Sequence, residues 1–215
     1  MSRASLTPQE IEAGRSRVIT AATELFAQDG FEAVTMRAIG REMGRSPTTP
    51  YTYFSNKEEI FAEVRTRAFA RFADALEDGI RNMHNPLVRL RAMCGAYAGF
   101  ARDNPDAYRL MFELRQGGMA EYPPLKLQRE RSFGHPLGAA RDAVSQGLLQ
   151  GDPLTLAHTI WACCHGIVSL ELAGQLDLGR SLDELVEPVT EAILRAYQTL
   201  SADHEIARQI PGETT

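Results

Sequence analysis

Four short hydroxyl side chains, Ser46, Thr48, Thr49 and Thr52, fall in one short stretch, preceded by the guanidinium groups of Arg37 and Arg45. Groups of this size suit hydrogen bonding to nucleic acid: hydroxyls reach base edges and phosphates at short range, and a guanidinium bonds both acceptors of guanine. Other chemistries are poorly supplied. Cys163, Cys164 and His165 are metal-binding residue types, yet three consecutive helical positions point about 100° apart and cannot converge on one ion. Cys94 reads as a small buried apolar group rather than a reactive thiol. The sequence shows no paired Glu-x-x-His motif, phosphate-binding glycine loop or nucleophile elbow, and its histidines are scattered. An enzyme is therefore not expected, and neither a metal nor any other cofactor is called for.

Charge is a weaker guide. The net charge of −5 is unfavourable for a polyanionic partner, but it is unevenly spread. Residues 1–72 hold ten Lys or Arg against nine Asp or Glu, whereas residues 73–215 hold thirteen against nineteen. An ordinary composition with 44% hydrophobic residues implies a globular chain with one substantial core or two smaller ones. No stretch approaches the roughly 20 continuous apolar residues that span a bilayer, and the polar N-terminus lacks a secretory signal. A cytoplasmic protein with no membrane partner is expected. The three cysteines, two of them adjacent, write no disulfide framework, in keeping with a reducing compartment.

The elements that must position these side chains read as helices throughout. Val18, Ala21, Ala22, Leu25 and Phe26 line one helical face that ends at Asp29-Gly30, with Gly30 suited to a left-handed cap. Thr35 opens a short helix containing Ile39 and Met43, which stops at Gly44. The segment Ser46 to Phe54 follows, and Asn56-Lys57-Glu58-Glu59 has the form of a capping box. It opens a long helix with Ile60, Phe61, Val64, Ala68, Phe72, Ala75, Leu76 and Ile80 on its inner face. Asn85-Pro86, Asn104-Pro105 and Asp152-Pro153 each set a capping side chain before a proline suited to the first helical position. Phe133, Leu137, Ala140, Val144 and Leu148 form another stripe, and Ser181 caps a last helix running towards Leu200. Gly117-Gly118 and Pro123-Pro124 predict a loop between Gln116 and Leu127.

A short helix, a glycine-containing turn and a second short helix, packed on a preceding amphipathic helix, are the parts of a three-helix DNA-binding module. The expected fold is all-α. An N-terminal helix-turn-helix domain covers 12–72, with the motif itself at about 35–54. A larger helical domain covers 73–201, with flexible tails at 1–11 and 202–215.

The order Ala21-Ala22-x-x-Leu25-Phe26-x-x-x-Gly30-Phe31, then Thr35, Ile39 and Gly44, then Tyr51-x-Tyr53-Phe54-x-Asn56-Lys57-Glu58-Glu59, resembles the TetR family of transcriptional regulators over residues 15 to about 65. The resemblance implies that Thr35 caps the second helix and touches phosphate, that Tyr51 and Tyr53 contact the DNA backbone, and that Lys57 meets a phosphate at a helix N-terminus. Phe54 is expected in the core, and Tyr51 divides between core and surface. Pro50 departs from the family pattern, which has an apolar residue there. With Pro47 it removes amide donors and pushes Thr49 from helical geometry.

Further on, Asn104-Pro105-x-x-Tyr108-Arg109-Leu110-Met111-Phe112 and Trp161-x-x-x-His165-Gly166 resemble one branch of the same family. That likeness implies a homodimer joined through helices within about 152–175 and 181–200, with Gly166 and Gly174 allowing close helix approach. It also implies a small-molecule effector in an apolar cavity lined by Met93, Tyr97, Phe100, Tyr108, Met111, Phe112, Phe133, Trp161 and His165. A solid core of the same aromatics is the competing arrangement. The function implied is a repressor that binds a palindromic double-stranded DNA operator and is released by its effector, with the long helix from Asn56 as connector. A protein–protein adaptor that has lost DNA binding is the alternative class.

Overall fold

The computed structural model describes residues 6–112 and 122–198, and local chemistry accounts for where its helices begin and end. In order these are α1 (Pro8–Ala33), α2 (Met36–Glu42), a 3-10 turn (Thr49–Thr52), α3 (Lys57–Gly79), α4 (Pro86–Asp103), α5 (Pro105–Phe112), α6 (Pro123–Ser145), α7 (Pro153–Leu172) and α8 (Leu182–Ala196). Among the described residues the only extended pairing is a lone bridge between Leu149 and Gln198. The all-α expectation is met.

Helix starts are capped by side chains that take up amides the first turn leaves unpaired. The Asp152 carboxylate accepts from the Thr155 amide at 2.8 Å, and Asn85 Oδ1 accepts from Leu87 and Val88 at 2.9 and 3.2 Å. Ser181 and Glu184 form a reciprocal capping box. The same device opens α1 within the stretch expected to be a tail. Thr7 Oγ1 accepts from the Glu10 amide at 3.2 Å, and the Glu10 carboxylate accepts from the Thr7 amide at 2.8 Å. Helix α6 likewise begins inside the expected loop. Pro123 and Pro124 occupy first-turn positions where no amide donor is needed, so the pair starts a helix instead of preventing one. The Gly117-Gly118 part of that expected loop, Leu200 and the tail beyond Ser201 lie outside the described residues.

Glycine closes α2 and α7. At the end of α2, Gly44 (φ 63°) donates to the Arg41 carbonyl at 2.8 Å and Arg45 donates to the Gly40 carbonyl at 3.0 Å, a Schellman motif. Gly174 (φ 65°) closes α7 with the same pattern. A Cβ at Gly166 would meet no neighbour of its own chain within 4 Å. Helix α6 stops at Ser145, which leaves Leu148 beyond the helical stripe expected to include it. At Gly30 (φ 76°, ψ 168°) the helix proper breaks as expected, then resumes for one turn to Ala33.

Two compact units emerge among the described residues, and they do not follow chain order. The first gathers residues 6–75, 99–112 and 122–132. Its core holds Val18, Ala22, Ile39, Phe54 and Ile60 around the mutually touching rings of Phe26, Phe31 and Phe61, whose centroids lie 4.9–5.7 Å apart. The second gathers 76–98 and 133–198. There Leu156, Ile160, Cys164 and Val168 recur every four residues along α7 and are all buried. Helix α7 is also long and apolar enough, by length and composition, to cross a membrane, which the absence of a continuous apolar run did not suggest; 28% of it is buried within the chain.

Candidate nucleic-acid interface and effector site

Side chains able to read DNA project from α2 and the turn that follows. Thr35 Oγ1 accepts from the Ala38 amide at 3.1 Å and so starts α2, as the family resemblance implied. One turn later Gly40 lets the following segment cross closely: a Cβ there would stand 2.7 Å from the Ser46 carbonyl and 2.8 Å from Pro47 Cα. After the Gly44 cap the Ser46 and Thr48 hydroxyls bond each other at 3.0 Å, and the Thr49 amide donates to the Ser46 carbonyl at 2.8 Å.

The second helix of the motif is reduced to a single 3-10 turn, Thr49–Thr52, where a short helix was expected. Pro50 lies within it and Thr48 provides no side-chain cap. Two prolines in four residues remove the amides that an α-helix would use, and the residue before each is biased away from helical geometry. The Pro50 carbonyl closes the turn by accepting from both Tyr53 and Phe54 at 3.0 Å.

Most of the expected DNA-contacting residues stand free of the core. Thr35, Arg37, Arg45, Ser46, Thr48 and Thr52 are exposed, and Tyr51 is 56% exposed, so its ring belongs to the surface. Thr49 and Tyr53 are half-buried. Tyr53 lays its ring on α1, where a Cβ at Gly14 would come within 2.2 Å of it. Phe54 is core. Arg41 was missed in the sequence; it is exposed one helical turn beyond Arg37, and the i,i+4 spacing was the available signal.

Lys57 is placed differently from the expected phosphate contact. Its Nζ donates to the carbonyls of Phe31 (2.9 Å), Val34 (3.2 Å) and Glu32 (3.4 Å), and it lies 4.2 Å from the Phe31 ring centroid. An ammonium has three donors, and all three are directed at the chain leaving α1. A cation there also suits the negative end of a helix.

The nine residues expected around an effector divide between the two units. Phe100, Tyr108, Met111 and Phe112 pack in the first, where Phe112 meets Phe69, Phe72 and Tyr108 at centroid distances of 5.5, 6.4 and 4.8 Å. Tyr108 and Met111 are fully buried. Met93, Tyr97, Phe133, Trp161 and His165 belong to the second. Trp161 and His165, four residues apart on α7, share a face as their spacing predicts, with ring centroids 6.5 Å apart. The Tyr97 hydroxyl lies 3.3 Å from His165 Nδ1, and Phe133 meets Trp161 at 6.1 Å. His158, which sequence reading passed over, completes the group at 4.5 Å from Phe133 and 6.1 Å from Trp161.

Behind this face Cys94 and Cys164 are buried together with Thr190. The hydrogen bond shared with Cys94, together with burial, pushes the Cys164 thiol upward. Among the described residues no three His, Cys, Asp or Glu side chains are grouped to hold a metal.

The fold and its exposed face define a helix-turn-helix, DNA-binding regulator. Residues 18–64 match the family model for bacterial regulatory proteins of the TetR family, and residues 90–193 match the tetracyclin repressor-like C-terminal domain. The chain belongs to the TetR family of transcriptional regulators.

Among curated relatives, it is 30% identical over 99 residues to the HTH-type transcriptional activator FasR of Mycolicibacterium smegmatis, covering 46% of this chain and 45% of that protein. It is 35% identical over 72 residues to the HTH-type transcriptional regulator UidR of Escherichia coli, covering 32% and 37%. The matches thus span less than half of either relative. Of solved structures, a protein of unknown function from Rhodococcus sp. RHA1 superposes with a TM-score of 0.76 at 24% identity over 86% of this chain and 96% of that one. A TetR family transcription regulator from Marinobacter aquaeolei gives 0.73 at 19% identity over 90% and 100%. These likenesses establish the fold.

Proposed function

We propose that the chain is a cytoplasmic, effector-responsive repressor that binds a palindromic operator as a homodimer. The observation that carries this reading is the exposed constellation of Arg37, Arg45, Ser46, Thr48, Tyr51 and Thr52 on α2 and the turn after it. The guanidinium groups supply paired bonds to guanine, and the hydroxyls and phenol supply short contacts to base edges and backbone. Thr35 and Thr49 add contacts at either end, and Tyr53 adds its backbone-facing edge. Two copies related by a dyad would present these turns to successive major grooves about 34 Å apart. Selection of bound sequences from a random DNA pool tests this directly: an enriched inverted repeat is expected, and enrichment of a single unpaired half-site would refute the dimeric reading.

The second copy is argued from α7. With Leu170 exposed and Ile167 half-buried about one turn apart on the same side of α7, an apolar strip remains for a partner of the same kind. Leu156, Ile160, Ile193 and Leu194 are consumed within the chain, so the interface falls to Ile167 and Leu170 of α7, with half-buried Leu185 and Val189 of α8.

The effector reading rests on Tyr97, Phe133, Trp161 and His165 in the second unit. An aromatic wall with a phenol and an imidazole suits a mainly apolar molecule carrying one or two polar atoms. Where the effector alters operator affinity, the operator alters effector affinity by the same factor. FasR is named an activator, which favours activation as the second reading. Transcription in vitro from a promoter carrying the selected site separates the two: the repressor lowers transcript yield and the activator raises it.

A further inference from the structure

The turn that carries Thr48, Tyr51 and Thr52 has little internal support. It is one 3-10 turn without a side-chain cap, it contains Pro50, and Pro47 precedes it. Such turns have poorer hydrogen-bond geometry than an α-helix and take their placement from what surrounds them.

Two consecutive residues of α1 supply that placement. Arg15 Nη1 donates to the Tyr53 carbonyl at 2.7 Å, the first residue beyond the turn. The same guanidinium lies 4.0 Å from the centre of the Phe54 ring and 3.6 Å from Glu59 Oε1. The other Glu59 oxygen accepts from the Ser55 amide at 2.9 Å. One residue earlier, Gly14 leaves the space that the Tyr53 ring fills. Tyr53 and Phe54 are thus held from α1 by a planar cation that bonds, stacks and pairs at once, the last with the α3 carboxylate that holds Ser55, a combination a guanidinium achieves and an ammonium does not.

We infer that Arg15 is a positioning residue for base recognition: it sets the orientation of the reading turn through Tyr53, Phe54 and Glu59. This rests on the turn being the DNA-reading element. Base-edge bonds require placement within about 0.5 Å, whereas phosphate contacts carry no sequence information. Loss of Arg15 therefore separates specific from non-specific binding.

The test uses the full chain as wild type, R15K and R15M. Affinities are measured over a salt series for the DNA selected by the wild type and for a scrambled duplex, and amide hydrogen exchange is followed in segment 46–55. R15K is expected to bind the selected DNA about tenfold more weakly, the consequence of one lost charge-assisted bond, with scrambled binding and salt slope unchanged. Exchange should quicken in 46–55 while α3 keeps its protection, and R15M should show the larger effect. The exchange result needs no DNA, so failure of the positioning role is distinguishable from failure of the DNA-reading assignment.

An equal loss on both duplexes with the salt slope reduced by about one would make Arg15 a phosphate contact and overturn the proposal. Unchanged exchange and unchanged discrimination would overturn it as well. Should the Arg15 variants unfold, E59Q decides. It leaves the Arg15–Tyr53 bond in place while removing the paired charge, and must lower discrimination in the same direction by a smaller factor; no change refutes the role.

Discussion

Lys57 illustrates how one side chain can be claimed by two chemistries. Its ammonium has three donors, and the structure directs them at the carbonyls of Phe31, Glu32 and Val34 while the same nitrogen lies over the Phe31 ring. Releasing them for a phosphate would strip the end of α1 of its partners. Lys57→Met is therefore expected to lower stability by about 2 kcal/mol, the scale of charge-assisted bonds in a half-buried setting. The salt slope of DNA binding should stay as in the wild type. A slope reduced by about one with an unaltered melting temperature would return Lys57 to the phosphate role. Thr48 is the contrasting case, exposed, with its hydroxyl bonded to that of Ser46. Thr48→Ala should leave melting unchanged and alter base preference at one position of the selected site, read by repeating the selection with the variant.

At the scale of elements, α2 and the reading turn behave as one piece because Gly40 lets them touch. A Cβ at that position would stand 2.7 Å from a backbone oxygen and 2.8 Å from a backbone carbon, neither of which can swing aside as a flexible side chain would. Gly40→Ala is expected to preserve helix content by circular dichroism while abolishing discrimination between selected and scrambled DNA. Retained discrimination would mean that the turn is placed without α2. The capping boxes carry a pH dependence of their own. Glu10 and Glu184 are held below the ordinary carboxylate range, chiefly by backbone amide bonds from Thr7 and Ser181, and Asp152 chiefly by the Thr155 hydroxyl. A depressed folded pKa contributes stability above the unfolded value and loses it as pH falls through the folded one. The urea midpoint should therefore drop on acidification from about pH 6 to about pH 3, and Glu184→Gln should flatten part of that fall.

Across the whole molecule, the predictions concern assembly and response. Leu170 remains exposed on α7, with half-buried Ile167 about one turn before it on the same side. Light scattering at micromolar concentration should give the mass of two chains, and Leu170→Glu should give one, because a charge in an apolar interface stays unpaired. Trp161 meets Phe133, His158 and His165 without being fully buried. Trp161→Ala should abolish the effector response with operator affinity retained. A loss of several kcal/mol in stability with the response intact would instead identify Trp161 as ordinary core.

Local rules written in the sequence were enough to place most helix ends and the family motif. The Asn85 and Asp152 starts and the Thr35 cap depend on side chains within four residues of the amides they serve, and the Gly44 stop on that residue's own positive φ, which is why spacing alone reveals them; the Asn104 side chain, expected to cap α5, instead donates to the Phe100 carbonyl at 3.1 Å. The face shared by Trp161 and His165 is legible for the same reason, since i,i+4 geometry belongs to one helix. The Thr7 box and the Pro123 start were equally local and were passed over. What residues distant in the chain decide together was not legible. Arg15 meets Tyr53 across 38 positions, Lys57 meets Phe31 across 26, and Gly14 and Gly40 matter only because another segment happens to cross them. Reduction of the recognition helix to a 3-10 turn was signalled by Pro47 and Pro50, but its placement was not, because a turn without its own cap takes its orientation from the surfaces packed against it, and those surfaces exist only once the chain has folded.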